Sequence, residues 1–143
     1  MEEEKQIRIL PMSKKDEFPN KSIEEVQEEF FMDELIKNDG RYNYRKTGMD
    51  CPAESMILFQ FDGVIIACAK LIGIDPISMV ENDIQYNGAY ILDKKSIQIF
   101  EPITAKEISA ISSEFKFFSQ AKQQINYKKL RDIQKLIKEK SHK

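Results

Sequence analysis

Met56-Ile57-Leu58-Phe59-Gln60-Phe61, then Asp62-Gly63, then Val64-Ile65-Ile66-Ala67-Cys68-Ala69-Lys70-Leu71 is the stretch that sets the fold. Asp-Gly between two β-rich runs marks a two-residue hairpin turn, because both central positions want positive φ. The register this predicts sets Phe61 against Val64, Phe59 against Ile66 and Ile57 against Cys68. Both strands are apolar at their centres without alternation, so both faces of the hairpin are expected to be covered. Ala67-Cys68-Ala69 is small for a strand centre and leaves room for another element or a ligand to approach the backbone.

Upstream, Ile7-Arg8-Ile9-Leu10 reads as a short strand ended by Pro11, which lacks a backbone donor. Met12 to Lys21 reads as a loop. Ser22-Ile23-Glu24-Glu25 is a capping box: the hydroxyl accepts from the amide three residues on, and the glutamate reaches back. Ile23, Val26, Phe30 and Leu35 follow at helical spacing, widened by Phe31 and Ile36. Gly40 is a natural stop, since glycine tolerates the left-handed cap. In Arg41-Tyr42-Asn43-Tyr44-Arg45-Lys46, an extended chain sets the two tyrosines on one face and Arg41 and Arg45 on the other.

Downstream, Asp75-Pro76 opens a loop or short helix through Asp83. Ala89–Leu92 and Ile97–Phe100 are expected to form a second hairpin across Asp93-Lys94-Lys95-Ser96. Thr104-Ala105-Lys106-Glu107 is a second capping box, with Ile103 and Ile108 placed as a hydrophobic staple, and predicts a helix from Ala105 to about Ser112. Asn126 is placed to cap a last helix buried through Leu130, Ile133, Leu136 and Ile137. Four or five short strands without strand–helix–strand alternation predict an α+β domain, a small curled antiparallel β-barrel with helices packed around it.

The totals agree with a single domain over residues 1–143. The two cysteines, Cys51 and Cys68, form no C-x-x-C pair, so neither a disulfide nor a metal site is expected. The acidic start, Met1-Glu2-Glu3-Glu4-Lys5, lacks the apolar stretch of a signal peptide. The longest apolar run, Val64 to Ala69, falls far short of the ~20 residues that span a bilayer. A cytoplasmic protein without a membrane partner is the expectation. The formal net charge of -2 hides a polarity. Residues 1–39 hold 12 acids and 6 bases, whereas residues 116–143 hold 2 acids and 9 bases. A basic end on an acidic body can guide an anionic partner.

Catalytic signals are weak. The single histidine, His142, stands next to the C-terminus of the sequence, a poor place for a general base or metal ligand. There is no G-x-S-x-G, phosphate-cradling glycine loop or EF-hand spacing. Glu24, Glu25, Glu28 and Glu29 are explained as an exposed helix face, and Asp62 as a turn residue. No catalytic residue, metal or cofactor is therefore expected. Binding signals are stronger. Tyr42, Tyr44, Arg45 and Lys46 form one aromatic–basic segment. Phe117-Phe118-Ser119-Gln120-Ala121-Lys122-Gln123-Gln124 forms another, although at least one of the two phenylalanines is expected in the core. Rings stack on bases, cations neutralise phosphates, and glutamine can pair with a base edge.

From Gly40 onward the chain resembles PUA-like domains of the EVE and ASCH type. The resemblance rests on Arg41-Tyr42-Asn43-Tyr44-Arg45 and on the Met56–Ala69 hairpin. Tyr86-Asn87-Gly88-Ala89-Tyr90, Ile97-Gln98-Ile99-Phe100-Glu101-Pro102-Ile103 and Phe118-Ser119-Gln120-Ala121-Lys122-Gln123 resemble the domain ahead of HNH nuclease modules in bacterial restriction proteins. The resemblance implies a specificity module that accepts a nucleobase, sometimes a modified cytosine, beside a barrel. DNA or RNA, and a separate nuclease subunit, are the partners it implies. By position, Tyr42, Tyr44 and Phe59 would border the pocket, with Ser119, Gln120, Lys122 and Gln123 near it. The chain departs from the pattern in two places. Ala53-Glu54-Ser55 stands where Gly-Asp is common before the hairpin, and there is no tryptophan. The alternative is a protein-interaction or homodimerisation module that uses the basic C-terminal helix.

Overall fold

The computed structural model describes residues 5–15, 17–45, 51–119 and 122–141. Lys46, Gln120 and His142 lie outside the described residues. Strand β1 (Ile7–Pro11) leads to helix α1, which runs continuously through Ile23–Glu25, Val26–Glu34 and Leu35–Lys37. Strands β2 (Arg41–Tyr44), β3 (Met56–Phe61), β4 (Val64–Asp75), β5 (Met79–Glu81), β6 (Ile84–Tyr86) and β7 (Gly88–Leu92) follow. A 3-10 turn (Lys94–Ser96), β8 (Gln98–Ile103), α2 (Ala105–Ile111), β9 (Gln124–Ile125), a 3-10 turn (Tyr127–Lys129) and α3 (Leu130–Ser141) complete the order.

The Asp62-Gly63 turn forms as expected, with φ of 53° and 80° at the two positions. The register beyond it differs. Phe61 faces Val64 and Gln60 faces Ile65, but Phe59 then faces Ala67 and Ile57 faces Ala69. One extra residue, Ile66, has been inserted into β4 as a bulge. The reason lies in burial. Ile66 and the adjacent Ala67 both join the core on the α1 side, whereas Ile65 and Cys68 join the core on the α2–α3 side. A regular strand would send Ile66 and Ala67 to opposite faces. Both faces of the hairpin are covered, as its unbroken apolar runs predict.

The bulge also interrupts pairing with β8, where Ile65 faces Ile103 but Ala67 faces Ile99. The carbonyls of Ile66 and Phe100 need a donor there. Gln27, itself buried, donates from its amide Nε2 to both, at 2.9 and 2.7 Å. The small Ala67 side chain lets α1 come this close. Most of α1 is wound as a π-helix, with bonds such as Leu35 N–H to the Phe30 carbonyl. That winding suits its buried residues Val26, Phe31 and Leu35, which are five and four apart.

The sheet is not closed into a barrel. Its seven strands run β2-β7-β4-β3-β1-β9, with β8 also on β4. β1 pairs parallel with β3 and the other pairs are antiparallel. The expected β7–β8 hairpin is absent from this arrangement. β7 and β8 instead pair with successive parts of β4, at Leu71–Asp75 and Ile65–Cys68. The corner between them closes on Lys70: Asp93 N–H donates to its carbonyl and its own N–H donates to Ser96 Oγ. Asp75 to Asp83 is not a helix. Asn82 and Asp83 both have positive φ and turn β5 into β6, a two-stranded sheet of its own.

Both capping boxes form, at Ser22–Glu25 and Thr104–Glu107. The staple residues Ile103 and Ile108 are both fully buried in one core. Asn126 Oδ1 accepts from Lys128 N–H just ahead of α3. The two cysteines, Cys51 and Cys68, are both buried and lie in different cores on opposite sides of the sheet. Burial pushes the Cys68 thiol up to about 12, so it packs as a small neutral hydrophobe. Among the described residues no helix is long and apolar enough to cross a membrane.

Gln27→Met should destabilise the protein by about 2 kcal/mol or more, because two buried carbonyls lose their donor. Gln27→Glu should cost more at neutral pH and recover as pH falls, since a carboxyl donates only when protonated. Urea titrations across pH check both. Glycine offers a second comparison. A methyl group on Gly40 would collide with the Leu92 carbonyl, whereas Gly63 has open space around it. Both have positive φ. Gly63→Ala should therefore cost about 1 kcal/mol, and Gly40→Ala clearly more, in the same assay.

Candidate functional site

The close approach at Gly40 fixes where β2 begins. Gly40 N–H donates to the Leu35 carbonyl and ends α1, while the Gly40 carbonyl accepts from Leu92 N–H and starts pairing with β7. β2 then lies on β7 with Tyr42 opposite Tyr90 and Tyr44 opposite Gly88. The expected alternation holds. The Tyr42 and Tyr44 rings lie 6.3 and 4.9 Å from the Tyr90 ring, and Arg41 Nε donates to Asn43 Oδ1.

A cavity of about 370 Å³ opens between this strand, helix α1 and the β5–β6 hairpin. Phe18, Phe30 and Tyr42 form its aromatic side, with Phe30 edge-on to both other rings at 5.1 and 5.6 Å. Asn38 from the end of α1 and Asn43 from β2 supply amides. Arg41 and Arg45 supply positive charge, and Glu17, Glu34 and Glu81 negative charge. Tyr86 and Ile84, from β6, complete the outer wall.

Arg41 is already committed. Its guanidinium donates to Asp75 at 2.7 Å, and its hydrogen bond, helped by the Ile77 amide, holds the Asp75 carboxyl below the usual carboxylate range. A further nitrogen reaches the Met79 sulfur at 3.7 Å. Arg41 therefore ties the hairpin to the sheet. Asn87 adds two ties, its backbone N–H to the Tyr44 carbonyl and its side-chain amide to the Arg45 carbonyl. The Arg45 side chain is exposed and makes no ion pair among the described residues. It is the cation at this cavity that remains available to a ligand.

Tyr42 is 5% exposed and its hydroxyl donates to Glu17 Oε2 at 2.8 Å. Burial first, and the Glu17 carboxylate second, push the phenol well above its ordinary value. Tyr42 stays neutral and offers a ring edge and a hydroxyl oxygen. Phe59 is fully buried behind it, with ring centroids 5.7 Å apart, and supports the Tyr42 ring from the core. Tyr44 is half-buried against Tyr90 and is not among the lining residues.

The second aromatic–basic segment precedes β9, separated in the strand order from β2 by β7, β4, β3 and β1. Gln123 closes its own loop there, accepting from Ser119 N–H and donating to the Phe117 carbonyl. Arg8 holds the same loop through the carbonyls of Lys122 and Gln123. Ser119, Lys122 and Gln123 do not line the cavity beside Tyr42. Phe118 packs on the core, as one phenylalanine of the pair is expected to, whereas Phe117 is 68% exposed.

Asn38 and Glu34 join the cavity although no sequence motif marks them, and Tyr86 joins it from a segment that the sequence marks only through the family resemblance. The Asn82-Asp83 turn is the signal that could have placed Tyr86 on a hairpin, since asparagine and aspartate tolerate positive φ. Asp93-Lys94-Lys95 also has the Asp-x-Lys spacing found in carboxylate nucleases. Here Asp93 caps the 3-10 turn through Lys95 N–H and pairs with Lys70.

No protein-family model matches the chain, and no curated protein matches it. Two solved structures do. The crystal structure of ASCH from Zymomonas mobilis is 12% identical, with a TM-score of 0.56, over 92% of this chain and 95% of that one. The structure of a tyrosine-to-phenylalanine mutant of the same protein is 11% identical at a TM-score of 0.56, over 92% and 99%. The fold is similar to that of these ASCH structures, as the residues from Gly40 onward suggest. At this identity the likeness to ASCH carries the fold alone. The ASCH-like sheet sets β2 and its cavity on the face that α1 covers.

Alkaline pH gives a test of the Tyr42 environment. A phenol whose value is raised in the folded state contributes stability that is complete below about pH 10, the value of an exposed tyrosine, and is lost as pH rises further. Tyr42→Phe should therefore be less stable than the native chain near neutrality, by about 1 kcal/mol for the lost hydrogen bond. The gap should shrink as pH rises past about 10. Urea midpoints at a series of pH values measure it, and a constant gap would mean that Tyr42 ionises freely.

Proposed function

We propose that this chain is a non-catalytic nucleic-acid-binding module that takes an unpaired or flipped base, modified or not, into the cavity beside Tyr42. One observation supports the reading above the rest. The cavity combines aromatic walls, amides and an arginine, Arg45, that makes no ion pair among the described residues, in a volume of about 370 Å³. The volume falls within the roughly 300–1,000 Å³ usual for ligand pockets, although the lining is more polar than is usual for them.

The charge of the lining favours a base over a phosphate. Glu17, Glu34 and Glu81 outnumber Arg41 and Arg45, and Arg41 is held by Asp75. A phosphate placed there would meet net negative charge. A neutral base meets aromatic side chains, the Asn38 and Asn43 amides, and carboxylates able to accept from amino groups. Tyr86, half-buried on the outer wall, offers a stacking face, and Arg45 at the rim offers the flanking phosphate a cation. Chemistry on the nucleic acid is then left to a separate subunit, a nuclease by the resemblance in the sequence. The ASCH-like fold of the neighbours is compatible with this reading.

Fluorescence anisotropy with labelled single-stranded, duplex and cytosine-modified oligonucleotides tests it. Binding should favour strands with an accessible base. Tyr86→Ala should weaken it by about 1–3 kcal/mol, the usual worth of one stacked base. Absence of binding to every oligonucleotide at tens of micromolar protein at low salt would refute the proposal.

A further inference from the structure

Basic side chains are not treated alike across this molecule. Among the described residues up to 110, Lys14, Lys21, Lys37, Arg41, Lys70 and Lys94 each stand within ion-pair distance of a carboxylate, whereas Lys5, Arg8, Lys15, Arg45, Lys95 and Lys106 do not. Beyond residue 110, among the described residues, only Lys140 does, against Glu107 at 2.8 Å. Lys128, Arg131, Lys135 and Lys138 are all exposed and make no ion pair among the described residues. Their spacing of three, four and three residues sets them along one face of α3 and its leading turn. Ile133 and Ile137, both buried, hold the opposite face to the core.

Helix stability does not explain this stripe. Cations near a helix C-terminus are favoured by the backbone dipole, which accounts for Lys138 and Lys140. Lys128 and Arg131 stand at the N-terminal end, where the same dipole disfavours them. Asp132 and Glu139 are exposed as well and leave the helix net positive.

We infer that this face of α3 docks a nucleic-acid backbone, an inference that rests on the nucleic-acid reading of the cavity. The charge spacing fits the ligand. From Lys128 to Lys138 the helix advances about 15 Å, at 1.5 Å per residue. A track of that length reaches several successive phosphates of one strand.

The test is the salt dependence of oligonucleotide binding by the full chain, read by anisotropy. In Arg131→Gln/Lys135→Gln both side chains are exposed, so the melting temperature should hold. Affinity at low salt should fall about tenfold. The slope of log K against log salt should become shallower by about 1.4, at roughly 0.7 for each single-strand phosphate that the variant no longer neutralises. Tyr86→Ala should weaken binding and leave the slope alone. If the double variant keeps the native slope and affinity while Tyr86→Ala binds poorly, the α3 inference fails and the cavity stands. If the native chain binds no oligonucleotide, both fail. Preferential competition by polyglutamate would assign the stripe to an acidic protein partner and overturn the inference.

Discussion

One inserted residue organises this protein. Ile66 bulges from β4, so two successive side chains enter the same core and two backbone carbonyls lose their place in the ladder. A buried carbonyl without a donor costs about as much as a lost hydrogen bond, and here there are two. Gln27 answers both from helix α1. That pairing fixes the rotation of α1 and its distance from the sheet. The π-helical winding follows from the same constraint, because Gln27 must point inward together with Val26, Phe31 and Leu35.

From that anchor the cavity is placed by a chain of short-range interactions. The end of α1 is set by Gly40, whose backbone lies too close to Leu92 for any side chain. Gly40 starts β2, and β2 with the residue after it delivers Arg41, Tyr42, Asn43 and Arg45 to the cavity. Tyr42 is backed by Phe59 and tethered to Glu17, so the aromatic side of the cavity is rigid. The opposite wall is held by polar ties, chiefly Arg41 to Asp75. One wall belongs to the hydrophobic core and the other does not.

Local chemistry in the sequence specifies several elements directly. Asp62-Gly63, the two capping boxes, Gly40 and Asn126 each depend on neighbours within a few residues, and each forms as read. What escapes the sequence is decided across space. The register of β3 and β4 slips because burial on both faces selects a bulge, and Gln27 looks like one more polar helix residue until its carbonyls are in place. β7 and β8 read as a hairpin because strand pairs across a short polar turn usually are one. The Asp93–Ser96 corner closes on Lys70 instead and lays both strands along β4. The barrel stays open for the same reason, with β4 taking three partners. At the cavity, Tyr42 and Arg45 are legible from the aromatic–basic composition of their segment, whereas alternation would have paired Tyr42 with Tyr44, which does not line it. Tyr86, Asn38 and Glu34 come from segments that meet only after folding.

The β5–β6 hairpin pairs with itself and supplies no residue to either hydrophobic cluster. Yet Glu81, Asn82, Ile84 and Tyr86, all from this hairpin, line the cavity. The inner wall is different, because Phe30 and Tyr42 line the cavity and also pack in the core. The outer wall can therefore be rewritten or lengthened while Gln27 and the bulge it covers stay as they are.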